Sequence, residues 1–241
     1  MKRKPMRVLV VVPAYNESAA IGGVVAELLS ITPPVDVVVV DDGSIDGTWL
    51  AAEKAGARVL RLPINLGIGG AVQTGFRFAA RLGYDTVVQV DGDGQHVPSE
   101  IPSLIDAMSK TGADVIIGSR FLDVRGYTTS PVRRIGTRVF ALVNSIVLGR
   151  RISDNTSGFR AYNARAVRFL SDNYPQDYPE PESVILLGRN GFSIREIPVR
   201  MRGREHGHSS ISAVRSVYYM VKVLLAIFVD LFKERIIRQE Q

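Results

Sequence analysis

Not one of the 241 residues is cysteine, so disulfides, thiolate metal ligands and a thiol nucleophile are excluded together, and the chain suits a reducing compartment. Aromatic residues make up only 7% and are not interleaved with the basic ones, which argues against a nucleic-acid surface. Long apolar runs are missing too. Toward the C-terminus uninterrupted apolarity covers only Val223–Val229, far short of the ~18–20 residues of a bilayer span. Lys2, Arg3 and Lys4 could open a signal peptide, but the apolar run behind them, Val8–Val12, is stopped by Pro13 and is too short for a secretory core. The expected address is therefore cytoplasmic. No glycine triplet follows that first run, where a dinucleotide fingerprint would stand, and an NAD-type site is set aside.

What is present suffices for one substantial core. With 46% hydrophobic and 22% charged residues, the chain reads as one elaborated domain rather than two. Short β-branched runs at Val8–Val12, Val35–Val40, Arg58–Leu62, Thr86–Val90 and Val115–Gly118 predict strands. Helical patterns at Ser18–Ser30, Thr48–Ala55, Gly69–Leu82 and Pro98–Lys110 alternate with them. Strands apolar on both faces, joined by such crossovers, predict an α/β fold with a mostly parallel sheet between two helix layers. Right-handed crossovers then bring every strand's C-terminal end to one edge, the ligand edge of open α/β sheets. After residue 120 the pattern loosens into a helix over Val132–Leu148, a turn-rich stretch at 154–160, a helix over Glu182–Arg189 and a strand over Ser193–Ile197.

The polar motifs fall at those strand ends: Pro13-Ala-Tyr-Asn-Glu17, Asp41-Asp-Gly-Ser44, Asn65-Leu-Gly67, Asp91-Gly-Asp93 and Ser119-Arg120. Five in a row describe a single site. Asp91 and Asp93, one residue apart, suit a hard divalent cation shared with a diphosphate, and Gln95 and His96 could complete or support that shell. Asp42 suits the N–H groups of a uracil or guanine base, whereas Asp46 could equally cap the following helix. The Asn65-Leu-Gly-Ile-Gly-Gly70 loop is either a phosphate cradle or simple helix entry.

Taken in order, Pro-Ala-Tyr-Asn-Glu, Asp-Asp-Gly-Ser-x-Asp-Gly-Thr, Asn-x-Gly-x-Gly-Gly, Asp-Gly-Asp-Gly-Gln-His, Gly-Ser-Arg and Thr-Ser-Gly-Phe-Arg resemble the family 2 glycosyltransferases. The likeness is to the branch of polyprenyl (dolichyl) phosphate mannose and glucose synthases and spans roughly residues 6–210. The resemblance implies a GT-A (Rossmann-like) fold and an inverting transfer from a UDP-, GDP- or dTDP-linked sugar with Mg2+ or Mn2+. It also implies nucleotide contacts at Pro13, Tyr15, Glu17 and Asp42, and a metal-centred motif at Asp91, Asp93 and Gln95. Arg120 and Arg134 fall where that branch holds an acceptor phosphate, with Arg133 and Arg138 as rivals to Arg134. Arg202 and the 207–210 stretch resemble a late loop that closes over the donor diphosphate.

Two acceptors stay open. A lipid phosphate needs no base, because a phosphate monoester loses its second proton near pH ~6; arginines need only position it. A sugar hydroxyl needs a carboxylate, and Asp177, Glu180 and Glu182 supply candidates in a proline-held segment, unless the two glutamates merely favour a helix start. Other classes remain in view: a nucleotidyltransferase, against which the glycine-free Pro13–Glu17 segment counts, and a catalytically silent nucleotide-sugar-binding protein, against which Asp91 and Asp93 count.

Of the formal net charge of +6, four units lie from Arg200 onward, where eight basic residues face four acids. Ile211, Val214, Val217, Val221, Leu224, Phe228 and Leu231 share one helical face there, with Arg215, Tyr219, Lys222 and Lys233 opposite. The expected organisation is a catalytic domain over 1–210 and a basic amphipathic helix over 211–241, suited to the cytoplasmic face of a membrane. The oligomeric state is not legible.

Overall fold

The computed structural model describes residues 6–122 and 152–203, together with the isolated positions 149, 222 and 225. The elements run β1 (Val8–Ala14), α1 (Ile21–Leu29), β2 (Asp36–Asp41), α2 (Thr48–Lys54), β3 (Arg58–Arg61), α3 (Gly67–Leu82), β4 (Thr86–Gln89), α4 (Ile101–Thr111) and β5 (Val115–Ser119). Beyond the undescribed segment come β6 (Arg160–Asn163), α5 (Ala164–Asn173), α6 (Pro179–Arg189) and β7 (Ile194–Pro198).

Among the described residues these strands form one seven-stranded sheet in the order β3-β2-β1-β4-β6-β5-β7. β1 pairs in parallel with β2 and β4, β2 with β3, and β5 with β7, whereas β6 runs antiparallel between β4 and β5. The alternation of side chains along β1 shows why its run is apolar throughout. Val8, Val10 and Val12 enter one core with α1, α2 and α4, while Leu9 and Val11 enter the other with α3, α5 and α6. Each such buried valine contributes on the order of 1.5–3 kcal/mol.

Two elements were not expected: β6 and α5 replace the end of the turn-rich stretch and the unassigned residues behind it. β6 reads Arg-Ala-Tyr-Asn, with no β-branched run and a charged residue at its start. α5 is opened by Asn163, whose side chain accepts the Ala166 N–H at 2.9 Å, and it buries Ala166, Val167 and Leu170. The expected helix at Glu182 starts earlier, at Pro179, where a missing N–H costs nothing. The predicted elements over Val132–Leu148 and 211–241 lie outside the described residues, isolated positions aside. Among the described residues, no helix is long and apolar enough to cross a membrane.

Candidate active site

Three loops are knitted together at the C-terminal ends of β1, β2 and β3. Asn16 takes a left-handed conformation (φ 55°), which asparagine tolerates, and so turns its amide into the neighbouring loop. Its side-chain Oδ1 accepts the Ile45 N–H at 3.0 Å, and its own N–H donates to Ser44 Oγ at 2.9 Å. The Glu17 N–H donates to Thr48 Oγ1 at 2.9 Å. Asp46 accepts the N–H groups of Ser18 and Thr48, each at 3.0 Å, so it ties the loop after β1 to the first residue of α2, whose N-cap position is Gly47. Burial alone would raise its carboxyl; the hydrogen bonds from Thr48 and Ser18 outweigh that and hold it at about 2.

Asp42 is 3% exposed. Its Oδ1 accepts the Leu66 N–H at 2.7 Å, tying the third loop to the second. Burial raises its carboxyl above the ordinary value, opposed by the N–H groups of Leu66 and Gly67, and the charge of Asp41 adds to the rise. The glycine-rich stretch enters a helix, α3 beginning at Gly67, and Asn65, Gly67 and Ile68 also line the cleft described below. A Cβ on Gly69 would stand 2.6 Å from Gln176 Cα and from the Pro175 carbonyl, so that glycine serves a close backbone approach.

Past the end of β4, the Asp91 N–H donates to His96 Nδ1 at 3.0 Å, and His96 Nε2 lies 3.6 Å from Asp91 Oδ2. The imidazole is buried and stacks on Phe159, ring centres 4.8 Å apart and 15° from parallel. Burial lowers its pKa against the raising effect of Asp91 and Asp93, and its Nδ1 is the acceptor of the Asp91 N–H. Asp93 Oδ1 accepts the Gln95 N–H at 3.1 Å.

These ends surround a cleft of about 430 Å³. It is lined by Pro13 near the end of β1, Tyr15 and Glu17 after it, Asp42 after β2, Gly67 and Ile68 at the start of α3, Asp91 and Asp93 after β4, and Glu180 from α6. Tyr15 stands 48% exposed at its mouth. Five carboxylates and no lysine or arginine lie among the described lining residues. An anionic ligand would be repelled from such a cleft unless a cation came with it. The donor set is oxygen only, which fits Mg2+ or Mn2+. No group of three His, Cys, Asp or Glu among the described residues could hold a metal ion; Asp91 and Asp93 are the pair that would hold one together with phosphate oxygen and water.

Glu180 faces this group from the first turn of α6. Burial raises its pKa; Arg160 opposes the rise and Asp91 reinforces it. Glu182, two residues on, is buried and does not line the cleft, because two residues of helix turn a side chain to the far side. Asp177 is exposed and also lies outside the lining. Of the three candidates, Glu180 is the one among the cleft's described lining residues, and it and Glu182 stand in the first turn of a helix.

Arg120 and Arg202 do not line the cleft. Arg120 donates through Nε and Nη2 to Asp154 at 2.7 and 2.6 Å, and through Nη2 to Thr156 Oγ1 at 2.7 Å. Asp154 is fully buried, and its N–H and that of Ser153 donate to Glu196 at 2.8 and 2.7 Å. Burial raises the Glu196 carboxyl against those hydrogen bonds. Arg202 donates its backbone N–H to the Gln95 carbonyl at 2.8 Å, while its side chain pairs with Glu27 of α1 at 2.8 Å. The segment after β7 bridges residue 201 to His96, and this turns the 202 side chain toward α1 and away from the cleft. Gln95 lies beside the cleft, not in its lining. Arg133, Arg134, Arg138 and the 207–210 stretch lie outside the described residues.

Sequence reasoning missed Arg160, 1% exposed, which donates to the carbonyls of Ser157 (2.7 Å) and Asn155 (2.8 Å) and to Ser183 Oγ (3.0 Å). It fastens the 155–158 segment to α6. A basic residue closing a Gly-Phe-Arg motif was visible, but its partners were not.

A parallel sheet interrupted by one antiparallel strand, with paired aspartates past β4, defines a GT-A glycosyltransferase fold. The chain matches Glycosyl transferase family 2 over residues 9–170, more than half its length, and belongs to that family. An undecaprenyl-phosphate mannosyltransferase of Micrococcus luteus is 35% identical over 216 residues, covering 86% of this chain and 88% of the relative. A polyprenol monophosphomannose synthase of Mycolicibacterium smegmatis is 33% identical over 231 residues, covering 92% and 87%. Among solved structures, glucosyl-3-phosphoglycerate synthase from Mycobacterium tuberculosis, in complex with Mn2+, UDP-glucose and phosphoglyceric acid, has a TM-score of 0.69 at 21% identity. That likeness, over 94% of this chain and 79% of that one, is one of fold.

Proposed function

We propose that this protein is an inverting glycosyltransferase that moves a sugar from a UDP-, GDP- or dTDP-linked donor to a polyprenyl-phosphate lipid. The observation that carries the reading is the cleft with five carboxylates and no cation among its described lining residues. The two relatives named for polyprenyl-phosphate substrates support the choice of acceptor.

In this reading Asp42 accepts from the base and Tyr15 offers its exposed ring to it, while Pro13 and Glu17 shape the same end. Asp91 and Asp93 hold Mg2+ or Mn2+, with Gln95 beside them. When bound, the ion neutralises charge gathering on the departing diphosphate as a Lewis acid. The acceptor phosphate is already ionised near neutral pH and needs no base. Its positioning falls to Arg134 and Arg120, the latter sharing its guanidinium with Asp154. Arg202 leaves Glu27 to close on the diphosphate, a cheap exchange because an exposed ion pair is worth about 0–1 kcal/mol. Residues 1–210 act as the catalytic domain and 211–241 as a basic helix on the cytoplasmic face of the membrane.

One observation favours a second reading. Glu180 lines the cleft with a raised pKa, as suits a general base for a sugar hydroxyl acceptor. Radiolabelled UDP-, GDP- and dTDP-sugars incubated with Mn2+ and polyprenyl phosphate separate the two. Label entering the organic-soluble fraction from one donor is expected. Label found only in a water-soluble glycan would replace the lipid acceptor by the hydroxyl.

A further inference from the structure

We propose that His96, stacked on Phe159, and Gly158, lying against the Asp91 carboxylate, form a clamp that sets the orientation of that carboxylate and thereby the affinity of the cleft for a divalent cation. The inference rests on the reading of Asp91 as a metal ligand and assigns positioning residues that the motif itself does not name.

Asp91 follows a strand that has already ended, so neither its backbone nor its side chain is fixed by the sheet. His96 fixes the first by accepting the Asp91 N–H at Nδ1. The same ring presents the hydrogen on Nε2 toward Oδ2 at 3.6 Å, an electrostatic contact longer than a hydrogen bond. The 158–159 segment also comes directly against the carboxylate. A Cβ on Gly158 would stand 2.8 Å from Asp91 Oδ1 and 3.1 Å from Oδ2, so a side chain there would have to displace the carboxylate. Gly158 and Phe159 are consecutive, so the segment that confines the carboxylate also supplies the ring on which the imidazole stacks. That segment is itself held, since Arg160 bonds the carbonyls of Ser157 and Asn155 and reaches Ser183 on α6. His96 and the 158–159 segment thus both bear on the Asp91 carboxylate, whose side chain is 40% exposed in the cleft. Side chains that orient a ligand in this way change metal affinity by about 10–100-fold.

The test is direct Mn2+ binding, read from the free-ion signal in electron paramagnetic resonance, with and without UDP or GDP, on the full chain. His96→Phe keeps a flat ring against Phe159 but lacks the acceptor; His96→Asn offers an acceptor near the Nδ1 position; Gly158→Ala pushes on the carboxylate. His96→Phe and Gly158→Ala are expected to weaken Mn2+ binding about 10–100-fold, with His96→Asn restoring part of it. In activity, the Mn2+ concentration for half-maximal rate should rise more than the maximal rate falls. Wild-type Mn2+ affinity in folded His96→Phe and Gly158→Ala would overturn the clamp while leaving the metal site intact. Should His96→Phe not fold, Gly158→Ala decides alone. A wild-type protein that binds no Mn2+ under any of these conditions would overturn the metal site and the clamp with it.

Discussion

Removing the charge of Asp154 should be the most damaging isosteric change in the described structure. Asp154 is fully buried and accepts from the Arg120 N–H at 3.0 Å, from Nε and Nη2 of the same arginine at 2.7 and 2.6 Å, and from Thr156 Oγ1 at 3.2 Å. The Arg120 side chain is itself only 8% exposed. Asp154→Asn keeps the shape but turns an amide toward a guanidinium whose buried charge then has lost this countercharge. Breaking one side of a buried pair costs about 3–5 kcal/mol. For a chain of this size each kcal/mol moves Tm by about 2–4 °C, so a fall on the order of 6–20 °C is expected in a thermal melt. The double variant Arg120→Met/Asp154→Leu removes both charges, and such replacements are neutral or stabilising by about 1–4 kcal/mol. It should recover the lost stability. It also separates packing from catalysis: if Arg120 shares the acceptor phosphate, the refolded double variant shows a raised KM for polyprenyl phosphate. A fall in Tm below about 2 °C for Asp154→Asn, less than the equivalent of 1 kcal/mol, would refute the argument that this pair is load-carrying.

Three further outcomes follow from the same geometry. Burial raises the Glu180 carboxyl above its ordinary 4.5, so the folded state holds that proton more tightly than the unfolded chain. The stability this gives is complete below the ordinary value and lost as pH rises through the raised one; Glu180→Gln should therefore melt above wild type at neutral pH and converge with it in acid, while retaining transfer to polyprenyl phosphate. Asp46→Ala should cost about 1 kcal/mol by removing the acceptor at the start of α2, and because the folded carboxyl lies at about 2, below its ordinary 3.8, that contribution is present above pH 3.8 and vanishes as pH falls through about 2. Glu27→Gln frees Arg202 from an ion pair with both side chains more than 40% exposed, so stability should change by less than about 1 kcal/mol while the donor KM falls; an unchanged KM would show that Arg202 does not exchange partners.

The strands β1, β2, β4 and β5 were legible because a strand buried on both faces is apolar nearly throughout, and β-branched residues supply such runs; the edge strand β3, Arg-Val-Leu-Arg, was legible through its short apolar centre alone. Their ends, and hence the edge that carries the polar motifs, followed. β6 was not legible. Its Arg160 is buried by bonding to carbonyls five and three residues before it and to a hydroxyl on α6, contacts no local pattern announces. α5 was more nearly visible, through the Asn163 cap and the spacing of Ala166, Val167 and Leu170. In the cleft, Tyr15, Glu17, Asp42, Asp91 and Asp93 come together because each follows a strand of one parallel set, and Pro13 stands near the end of the first of them. Residues outside that logic were placed less well. Arg120 finds Asp154 34 positions away, Arg202 finds Glu27 175 positions away, and helix geometry alone separates Glu180 from Glu182.

The central claim is that Asp91 and Asp93 hold a cation shared with a nucleoside diphosphate. Thermal melting of wild type and Asp93→Ala with UDP, GDP or dTDP, each with and without Mn2+, tests it most directly. A ligand at a hundred times its Kd stabilises by about 2.7 kcal/mol, so one diphosphate should raise the wild-type Tm only when Mn2+ is present, and Asp93→Ala should lose that rise. Equal stabilisation of Asp93→Ala, or of wild type without the cation, would contradict the account.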